Sequence, residues 1–292
     1  VQDREFLGKI KRLEASMNED ERSVWVRDFR WNTYENQQTA KLLASDLEYA
    51  LSKGALELYY QPQVKRDGTL YGCEALLRWN YMGQGFVYPP LIIALAVQGD
   101  FIGTLGMYIV EKACRDMAGA RTQAGCPVSF SVNILPLELE DPSFADQVLK
   151  ILKDTGVEGS NLTIELTEQV ALNPGPNLER QLEKLRESRV RISMDDFGMG
   201  HGSLNYLNSA HYDEVKIDGS LIRRLPEHTQ TCELVGNIMN MSRILGVNTV
   251  AECVETPEQI QMLEKLGCSI YQGYYYSRPL PRDAFIEYVK GL

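Results

Sequence analysis

The feature that most constrains the fold is a repeated alternation of short apolar runs with longer amphipathic stretches, which begins near Leu42 and continues towards the C-terminus. This alternation is typical of consecutive strand–helix units and predicts a largely parallel sheet. The runs with strand character are Leu56–Val64, Leu70–Trp79, Val128–Ile134, Leu162–Thr167, Val190–Asp195, Glu214–Ile217, Thr249–Glu252 and Ile270–Tyr275. The stretches with helical spacing include Phe144–Asp154, Asn177–Glu187, Cys232–Leu245 and Pro257–Leu266.

Eight predicted strands in about 240 residues indicate an α/β fold, a TIM-like (β/α)8 barrel that tolerates one irregular or antiparallel strand. An open, doubly wound sheet is the alternative architecture. That fold usually binds nucleotides through a glycine-rich loop after an early strand, and the sequence has no such loop. The barrel is therefore the preferred prediction.

The chain divides by composition into two segments. Residues 1–41 are polar and highly charged, and the spacing of apolar residues from Phe6 to Met17 predicts an N-terminal helix and linker, the end of an upstream regulatory domain. Residues 42–292 form the predicted barrel domain. No uninterrupted apolar run reaches the roughly 20 residues that a membrane-spanning helix needs, so no membrane segment is predicted in this chain.

Charge and cysteine content restrict the partners and the compartment. The formal net charge of −10 argues against a nucleic-acid polymer, because such binding depends on clustered Lys and Arg. The six cysteines are scattered, without a CxxC pair, so neither a zinc site nor a disulfide framework is predicted. This cysteine usage predicts a cytoplasmic domain, even where the full-length protein is tethered to a membrane.

Polar residues cluster at the ends of the predicted strands, where barrel enzymes carry their catalytic groups. These residues are Glu74, Asn133, Glu165, Asp195, Asp196, Lys216, Asp218, Glu252, Glu255 and Gln272. Any one of them alone would be interpreted as a helix cap or a solvated loop residue. Together they supply carboxylate and amide oxygens without histidine or cysteine, which is the ligand set of a hard divalent cation such as Mg²⁺ or Mn²⁺.

The adjacent pair Asp195 and Asp196 indicates a site for two ions. Gly198 and Gly200 follow the pair and allow a sharp turn, in which one aspartate can bridge two ions while its neighbour binds one. Two ions about 3.5 to 4 Å apart clamp an in-line displacement at phosphorus and activate a water. The residues therefore predict metal-dependent hydrolysis of a phosphodiester.

Several short motifs resemble, in order and spacing, those of the EAL family of cyclic di-GMP phosphodiesterases. They are YYQPQV at Tyr59–Val64, EAL at Glu74–Leu76, ELTE at Glu165–Glu168, DDFGMG at Asp195–Gly200, KID at Lys216–Asp218, AECVE at Ala251–Glu255 and QGYYYSRPL at Gln272–Leu280. The resemblance extends from about Leu42 to the C-terminus. It implies hydrolysis of cyclic di-GMP to linear pGpG by a two-metal activated water, with two Mg²⁺ or Mn²⁺ ions as cofactors. Ca²⁺, which prefers longer bonds, is expected to inhibit.

The resemblance also implies roles for particular residues. The implied metal ligands are Glu74, Asn133, Glu165, Asp195, Asp196 and Glu252. The implied catalytic residues are Glu74, Lys216, Glu252, Glu255 and Gln272. Lys216 matches a lysine that contacts the attacking water or the scissile phosphate, and the implied substrate-binding residues are Gln61, Leu76 and Arg78. Glu168 matches a glutamate that stabilises the loop after Asp196 near a dimer interface, which implies a homodimer formed through the barrel.

The loop after Asp196 departs from the family pattern, with Met199, His201 and Gly202 where Thr or Ala, Tyr and Ser are usual. The other departures are Val97 for glutamate, Leu135 for serine and Cys253 for glycine. None of these residues is an implied metal ligand. We expect the altered loop to bind the second ion less firmly than the usual loop does.

Two alternative functions stay open at this stage. A catalytically weak or silent EAL domain would act as a cyclic di-GMP receptor or regulatory module, but such domains usually lose the EAL glutamate or the aspartate pair, and this chain keeps Glu74, Asp195 and Asp196. The second alternative is a barrel enzyme that uses metal-bound carboxylates on another phosphorylated or enolisable substrate. The ordered set of motifs argues against it.

Three consecutive tyrosines in the last apolar run, Tyr274–Tyr276, suggest a platform for stacking bases. Their alternation along the predicted strand instead indicates packing at the barrel rim. The dispersed histidines His201, His211 and His228 lie outside the predicted ligand set.

Overall fold

Strands and helices alternate along most of the computed structural model, which describes residues 34–82, 85–125, 128–167, 176–198 and 212–292. The strands of this part of the chain are β1 (Glu57–Lys65), β2 (Leu70–Asn80), β3 (Phe86–Val87), β4 (Phe130–Asn133), β5 (Leu162–Thr167), β6 (Arg191–Phe197), β7 (Glu214–Ile217), β8 (Asn248–Ala251), β9 (Ile270–Gln272) and β10 (Leu280–Pro281). The α-helices are α1 (Tyr34–Ser52), α2 (Pro89–Gln98), α3 (Ile102–Ala124), α4 (Phe144–Thr155), α5 (Pro176–Glu187), α6 (Gly219–Ile222), α7 (Thr229–Leu245), α8 (Pro257–Leu266) and α9 (Arg282–Lys290).

The described residues form two compact units. One unit contains residues 34–57 and 77–105, and the other contains Leu58–Leu76 and Gly106–Leu292. In the first unit β3 pairs antiparallel with the end of β2, where Trp79 is opposite Val87. The second unit holds most of the predicted site residues.

The second unit is a closed barrel. Strands β2, β4, β5, β6, β7, β8 and β9 are neighbours in that order and pair in parallel. The remaining strand, β1, closes the barrel by pairing with both β9 and β2. It runs antiparallel to β9, with Gln63 opposite Gln272. The prediction of a TIM-like barrel with one antiparallel strand is therefore confirmed, and the open, doubly wound alternative is wrong.

Burial on both strand faces explains why the strand sequences are so apolar. Side chains alternate between the two faces of a strand, so Glu214 and Lys216 of β7 share one face while Val215 and Ile217 share the other. All four are buried, as expected for a parallel strand covered on both sides. Because Lys216 forms ion pairs with carboxylates of several other strands, its face is the barrel interior.

Local cap signals set the ends of α8, which separates two strands that carry site residues. Thr256 and Gln259 form a reciprocal capping box at its start, and Gly267 ends it in the left-handed region with a φ of 95°. The observed helix has the predicted bounds, Pro257–Leu266. It therefore returns the chain from the end of β8 to the start of β9.

The last predicted strand is wrong at its C-terminal end. The observed strand, β9, stops at Gln272 rather than at Tyr275, because the backbone turns at Gly273. The Gly273 carbonyl accepts hydrogen bonds from the N–H groups of Tyr276 and Ser277 at 3.1 Å each. The three consecutive tyrosines consequently lie in a turn and do not alternate along a strand.

The structure describes only part of the predicted N-terminal segment, residues 1–41. The predicted helix from Phe6 to Met17 lies outside the described residues, and α1 runs from Tyr34 across the predicted boundary at residue 41. None of the helices in the described part of the chain combines the length and apolar character needed to cross a bilayer.

Candidate metal centre at the strand ends

A buried lysine lies at the centre of the site. Lys216 on β7 has 1% of its side chain exposed, and its ammonium pairs with Glu252 Oε1 at 2.7 Å, Glu165 Oε2 at 2.8 Å, Glu74 Oε2 at 3.2 Å and Asp195 Oδ1 at 3.2 Å. We call these five residues the lysine–carboxylate cluster. Burial lowers the pKa of an isolated lysine, but the four carboxylates outweigh this effect and hold the pKa of Lys216 well above its ordinary value.

Topology brings the cluster together. Glu165 and Asp195 lie towards the C-terminal ends of β5 and β6, and Glu252 directly follows β8. Glu74 lies within β2, in the stretch that pairs with β4, where it is opposite Ser131. The C-terminal ends of parallel barrel strands meet at one end of the barrel. Residues that are far apart in sequence therefore converge around Lys216, as the strand-end pattern predicts.

An irregularity in β6 brings two adjacent aspartates to one site. On a regular strand Asp195 and Asp196 would face opposite sides. The pairing of β6 with β7 shifts register between Met194 and Phe197, and Asp196 has a φ of 56°, in the left-handed region. As a result, ligand-type oxygens of Asp195, Asp196 and Glu252 all lie within 4.8 Å of one another.

Two side-chain amides hold the Glu74 carboxylate. Asn133 Nδ2 donates to Glu74 Oε1 at 2.7 Å, and Gln272 Nε2 donates to Glu74 Oε2 at 2.6 Å. Burial raises the pKa of Glu74, but the charge of Lys216 and these hydrogen bonds outweigh it, so the pKa lies below its ordinary value. Because Asn133 donates through its nitrogen, its carbonyl oxygen is left for a cation.

The single positive charge of Lys216 cannot neutralise all the other carboxylates of the site. Burial raises the pKa values of Glu165 and Glu252 well above their ordinary range despite the attraction of Lys216. Asp196 is exposed, yet the surrounding protein desolvates its carboxylate and raises its pKa to about 7, with the charge of Asp195 adding to the shift. Without a cation these carboxyl groups therefore hold their protons more readily than usual, and a bound cation would favour their ionised form.

The hydrogen bonding of two buried carboxylate oxygens indicates whether the site fits a metal ion. Glu165 Oε1 and Asp195 Oδ1 have no hydrogen-bond donor among the described residues, although the Lys216 ammonium forms an ion pair with Asp195 Oδ1 at 3.2 Å. A buried carboxylate oxygen without a partner is costly. A divalent cation would satisfy both oxygens. The clustered ligand-type atoms are oxygens of carboxylates and of one amide, so the residues fit Mg²⁺ or Mn²⁺.

For the remaining predicted site residues the structure gives only local placement. Leu76 is half-buried on β2, and Arg78 belongs to the other compact unit, where its Nη1 donates to the preceding carbonyl oxygen at 2.9 Å. Glu255 is exposed, and its N–H donates to Gln259 Oε1 at 2.7 Å. Glu168 and the altered loop lie outside the described residues. The substrate-binding, Glu255 and loop-stabilising roles therefore stay predictions.

A chain of buried glutamines adjoins the cluster, and one member of it is missing from the residues predicted from sequence. Gln272 Nε2 also donates to Gln61 Oε1 at 3.2 Å, and Gln61 Nε2 donates to Ser277 O at 3.2 Å. The missed residue, Gln63, donates from Nε2 to Gln272 Oε1 at 2.9 Å. The available signal was its position two residues after Gln61, which places both side chains on one strand face.

The fold and the site together define a class: a (β/α)8-type barrel that gathers carboxylates, an asparagine and a lysine at the C-terminal ends of its strands. The sequence profile of the EAL domain family matches residues 44–279. The chain belongs to the EAL domain family.

Known relatives agree with this assignment. The chain is 36% identical over 243 residues to the oxygen sensor protein DosP of Escherichia coli, covering 83% of this chain and 30% of DosP. It is 34% identical over 249 residues to the cyclic di-GMP phosphodiesterase NbdA of Pseudomonas aeruginosa, covering 85% and 32%. The chain thus spans about a third of the length of these relatives. The solved structure of PaMucR phosphodiesterase in complex with c-di-GMP superposes with a TM-score of 0.78 at 34% identity, covering 84% of this chain and 99% of that chain.

Proposed function

We propose that this domain hydrolyses cyclic di-GMP to linear pGpG in bacterial second-messenger signalling, with Mg²⁺ or Mn²⁺ as cofactor. The observation that carries the proposal is the convergence of Asp195, Asp196 and Glu252 within 4.8 Å, beside the lysine–carboxylate cluster. The names of similar proteins support the substrate, since NbdA is a cyclic di-GMP phosphodiesterase and the PaMucR phosphodiesterase structure is a c-di-GMP complex.

The proposal assigns the ligands of two ions. Glu74, Asn133, Glu165 and Asp195 would hold the first ion, and Asp195, Asp196 and Glu252 would hold the second. Divalent ions bound there would lower the pKa of a water and offset charge on the phosphoryl oxygens. The buried oxygens of Glu165 and Asp195 that lack a hydrogen-bond donor within the described part of the chain support these two residues as ligands.

Lys216 contributes a fixed positive charge and hydrogen-bond donors. An ammonium donates hydrogen bonds and accepts none, so Lys216 would donate to the attacking water or to an oxygen of the scissile phosphate. Attack of the water would form one P–O bond and break the bond to the leaving ester oxygen, on which the proton released by the water would end. Burial of Lys216 in the barrel strengthens its attraction for the phosphate, because the local dielectric is low.

Substrate binding is assigned to Gln61, Leu76 and Arg78. An arginine suits bidentate contact with a phosphate, and the leucine offers an apolar surface. Both ends of the Gln61 amide are already engaged, by Gln272 and by Ser277. Contact between Gln61 and the substrate would therefore replace one of these hydrogen bonds.

Three further statements belong to the proposal. They are a cytoplasmic location of the domain, a homodimer formed through the barrel, and an upstream regulatory domain that ends within residues 1–41. The relatives named above, which extend well beyond the matched segment, support the presence of further domains in the full-length protein.

The deciding experiment is to incubate the purified chain with cyclic di-GMP and Mg²⁺ or Mn²⁺ and to resolve the products by chromatography. Formation of pGpG that stops on addition of a chelator is the expected result. Tight binding of cyclic di-GMP without product, at every metal concentration, would instead support the receptor alternative. Neither binding nor product would contradict both.

A further inference from the structure

Gln63 lies in the barrel interior and has no part in the function proposed above. Its side chain is 3% exposed, and its Cα is opposite Gln272 in the pairing of β1 with β9. Gly72 leaves room for it, because a Cβ at that position would lie 3.3 Å from Gln63 Oε1 and 2.8 Å from Ser129 O. The tight fit keeps the Gln63 amide beside Gln272.

The direction of the hydrogen bond between the two glutamines decides what Gln272 offers to Glu74. A primary amide has an acceptor oxygen and a donor nitrogen, which exchange places when the amide rotates by half a turn. Gln63 Nε2 donates to Gln272 Oε1 at 2.9 Å, so Gln272 turns its nitrogen towards Glu74 Oε2 at 2.6 Å and Gln61 Oε1 at 3.2 Å. In the reverse orientation, the amide oxygen would face a carboxylate oxygen.

We propose that Gln63 is a positioning residue that acts through Gln272: by fixing the amide of Gln272, it keeps the Glu74 carboxylate directed at the cation site. This inference rests on the proposed function, because it treats Glu74 as a metal ligand. Rotation of the Gln272 amide would turn an attractive contact into a repulsive one and would displace Glu74 from Asn133. Outer-shell partners of this kind change metal affinity by about 10- to 100-fold.

A matched pair of variants separates positioning from general loss of stability. Gln63→Met removes the amide and keeps an unbranched side chain of similar length. The control is Gln181→Met, because Gln181 is also 3% exposed and, among the described residues, bonds only to backbone, accepting from Ala145 N–H and donating to Pro142 O at 2.9 Å each. Both variants remove a buried amide, but only the first touches Gln272.

The readout is Mn²⁺ affinity measured by calorimetry without substrate, together with thermal unfolding in chelator. Gln63→Met should weaken Mn²⁺ binding about tenfold or more, whereas Gln181→Met should leave it unchanged even where both lower the unfolding temperature. Gln272→Met should also weaken binding. Adding Gln63→Met to it should change the affinity by no more than about twofold, since the two residues act in series.

Wild-type Mn²⁺ affinity in Gln63→Met, or effects that add fully with those of Gln272→Met, would overturn this inference alone. A wild-type chain that neither binds Mn²⁺ nor hydrolyses cyclic di-GMP would instead overturn the proposed function, and the inference with it. If Gln63→Met does not fold, Gln63→Asn takes its place with the same expectation, because its amide is one methylene too short to reach Gln272.

Discussion

The two ends of the barrel interior bury carboxylates in opposite ways. At the amino ends of the strands, Glu214 accepts from Tyr71 Oη at 2.8 Å and from Ser193 Oγ at 3.1 Å, and Arg191 Nη1 donates to Tyr71 Oη at 3.2 Å. We call these four residues the amino-end network. At the carboxyl ends, the lysine–carboxylate cluster leaves two buried oxygens without donors among the described residues.

The difference separates a structural polar network from a binding site. In the amino-end network both oxygens of Glu214 are satisfied, and although Arg191 Nε lacks an acceptor among the described residues, its guanidinium lies 5.6 Å from the centre of the Tyr71 ring. A satisfied buried network contributes to a unique packed core, whereas an unsatisfied one lowers stability. The carboxyl end therefore sacrifices stability that a bound cation would restore.

The largest expected effect is on turnover at the carboxyl end. Glu252→Ala removes a proposed metal ligand and should lower kcat by about 1,000-fold or more while the barrel stays folded. Glu214→Gln, at the amino end, should keep turnover within about twofold in its folded fraction. Both are measured by pGpG formation, with circular dichroism as the check on folding. Near wild-type turnover in Glu252→Ala would show that the ligand assignment is wrong.

The second largest expected effect is that of metal addition on the free energy of unfolding. Mn²⁺ at 100 times its Kd should raise the free energy of unfolding of the wild type by about 2.7 kcal/mol, because it binds the folded state alone. The same addition should stabilise Glu252→Ala less. Ca²⁺ should stabilise the fold without supporting turnover, since its longer bonds do not hold water and phosphate in line. Full turnover in chelator would contradict this part of the account.

Glu138, a buried carboxylate outside both groups, extends the comparison because only one of its oxygens has a donor among the described residues. Glu138 Oε2 accepts from Leu135 N–H at 2.8 Å, and Oε1 has no donor among the described residues. Burial raises its pKa to about 7. The folded state therefore keeps a proton that the unfolded state has lost, and stability should fall as the pH rises from the ordinary glutamate value to about 7.

Glu138→Gln should remove this pH dependence. The variant should exceed the wild type in free energy of unfolding by about 1–3 kcal/mol at pH 8 and differ little at pH 4. Urea unfolding at both pH values measures the difference. An equal offset at the two pH values would show that Glu138 does not titrate in this range.

The smallest effect concerns backbone strain beside Glu252. Cys253 has a φ of 52°, which favours glycine, the residue usual at this position in the family pattern. Its thiol accepts a hydrogen bond from Arg223 Nη2 at 3.3 Å, and burial raises the pKa of the thiol to about 12. Cys253→Gly should therefore be more stable than Cys253→Ala by about 1 kcal/mol, because both lose the thiol and only the first relieves the strain. Equal unfolding midpoints would argue against strain at this position.

Much of this arrangement follows from sequence pattern. The apolar runs predict the strands, and the rule that parallel strand ends meet predicts which polar residues converge around Lys216. The rule is less specific for single residues. It does not, for example, give Asp218 a single role: its Oδ1 accepts from Ser220 N–H at 2.8 Å and caps α6, while its charge also helps to raise the pKa of Asp196.

Other features depend on three-dimensional contacts that no local pattern contains. The shared direction of Asp195 and Asp196 requires the register shift between β6 and β7 and the left-handed backbone at Asp196. Gln63 lies on β1, which pairs antiparallel with β9, so the rule that parallel strand ends meet does not apply to it. The turn at Gly273 is fixed by tertiary packing, since a Cβ there would overlap the backbone of Val254.

The most direct test of the central comparison is chemical unfolding of Glu165→Gln and Glu214→Gln in chelator and in Mn²⁺. In chelator, Glu214→Gln should lose about 1–3 kcal/mol, because it breaks a satisfied network. Glu165→Gln should be at least as stable as the wild type, because it removes one of four carboxylates that compete for Lys216. In Mn²⁺ the wild type and Glu214→Gln should gain stability, and Glu165→Gln should gain little. Equal losses of unfolding free energy for both variants in chelator would contradict the account, since the carboxylates at both ends of the barrel would then serve stability.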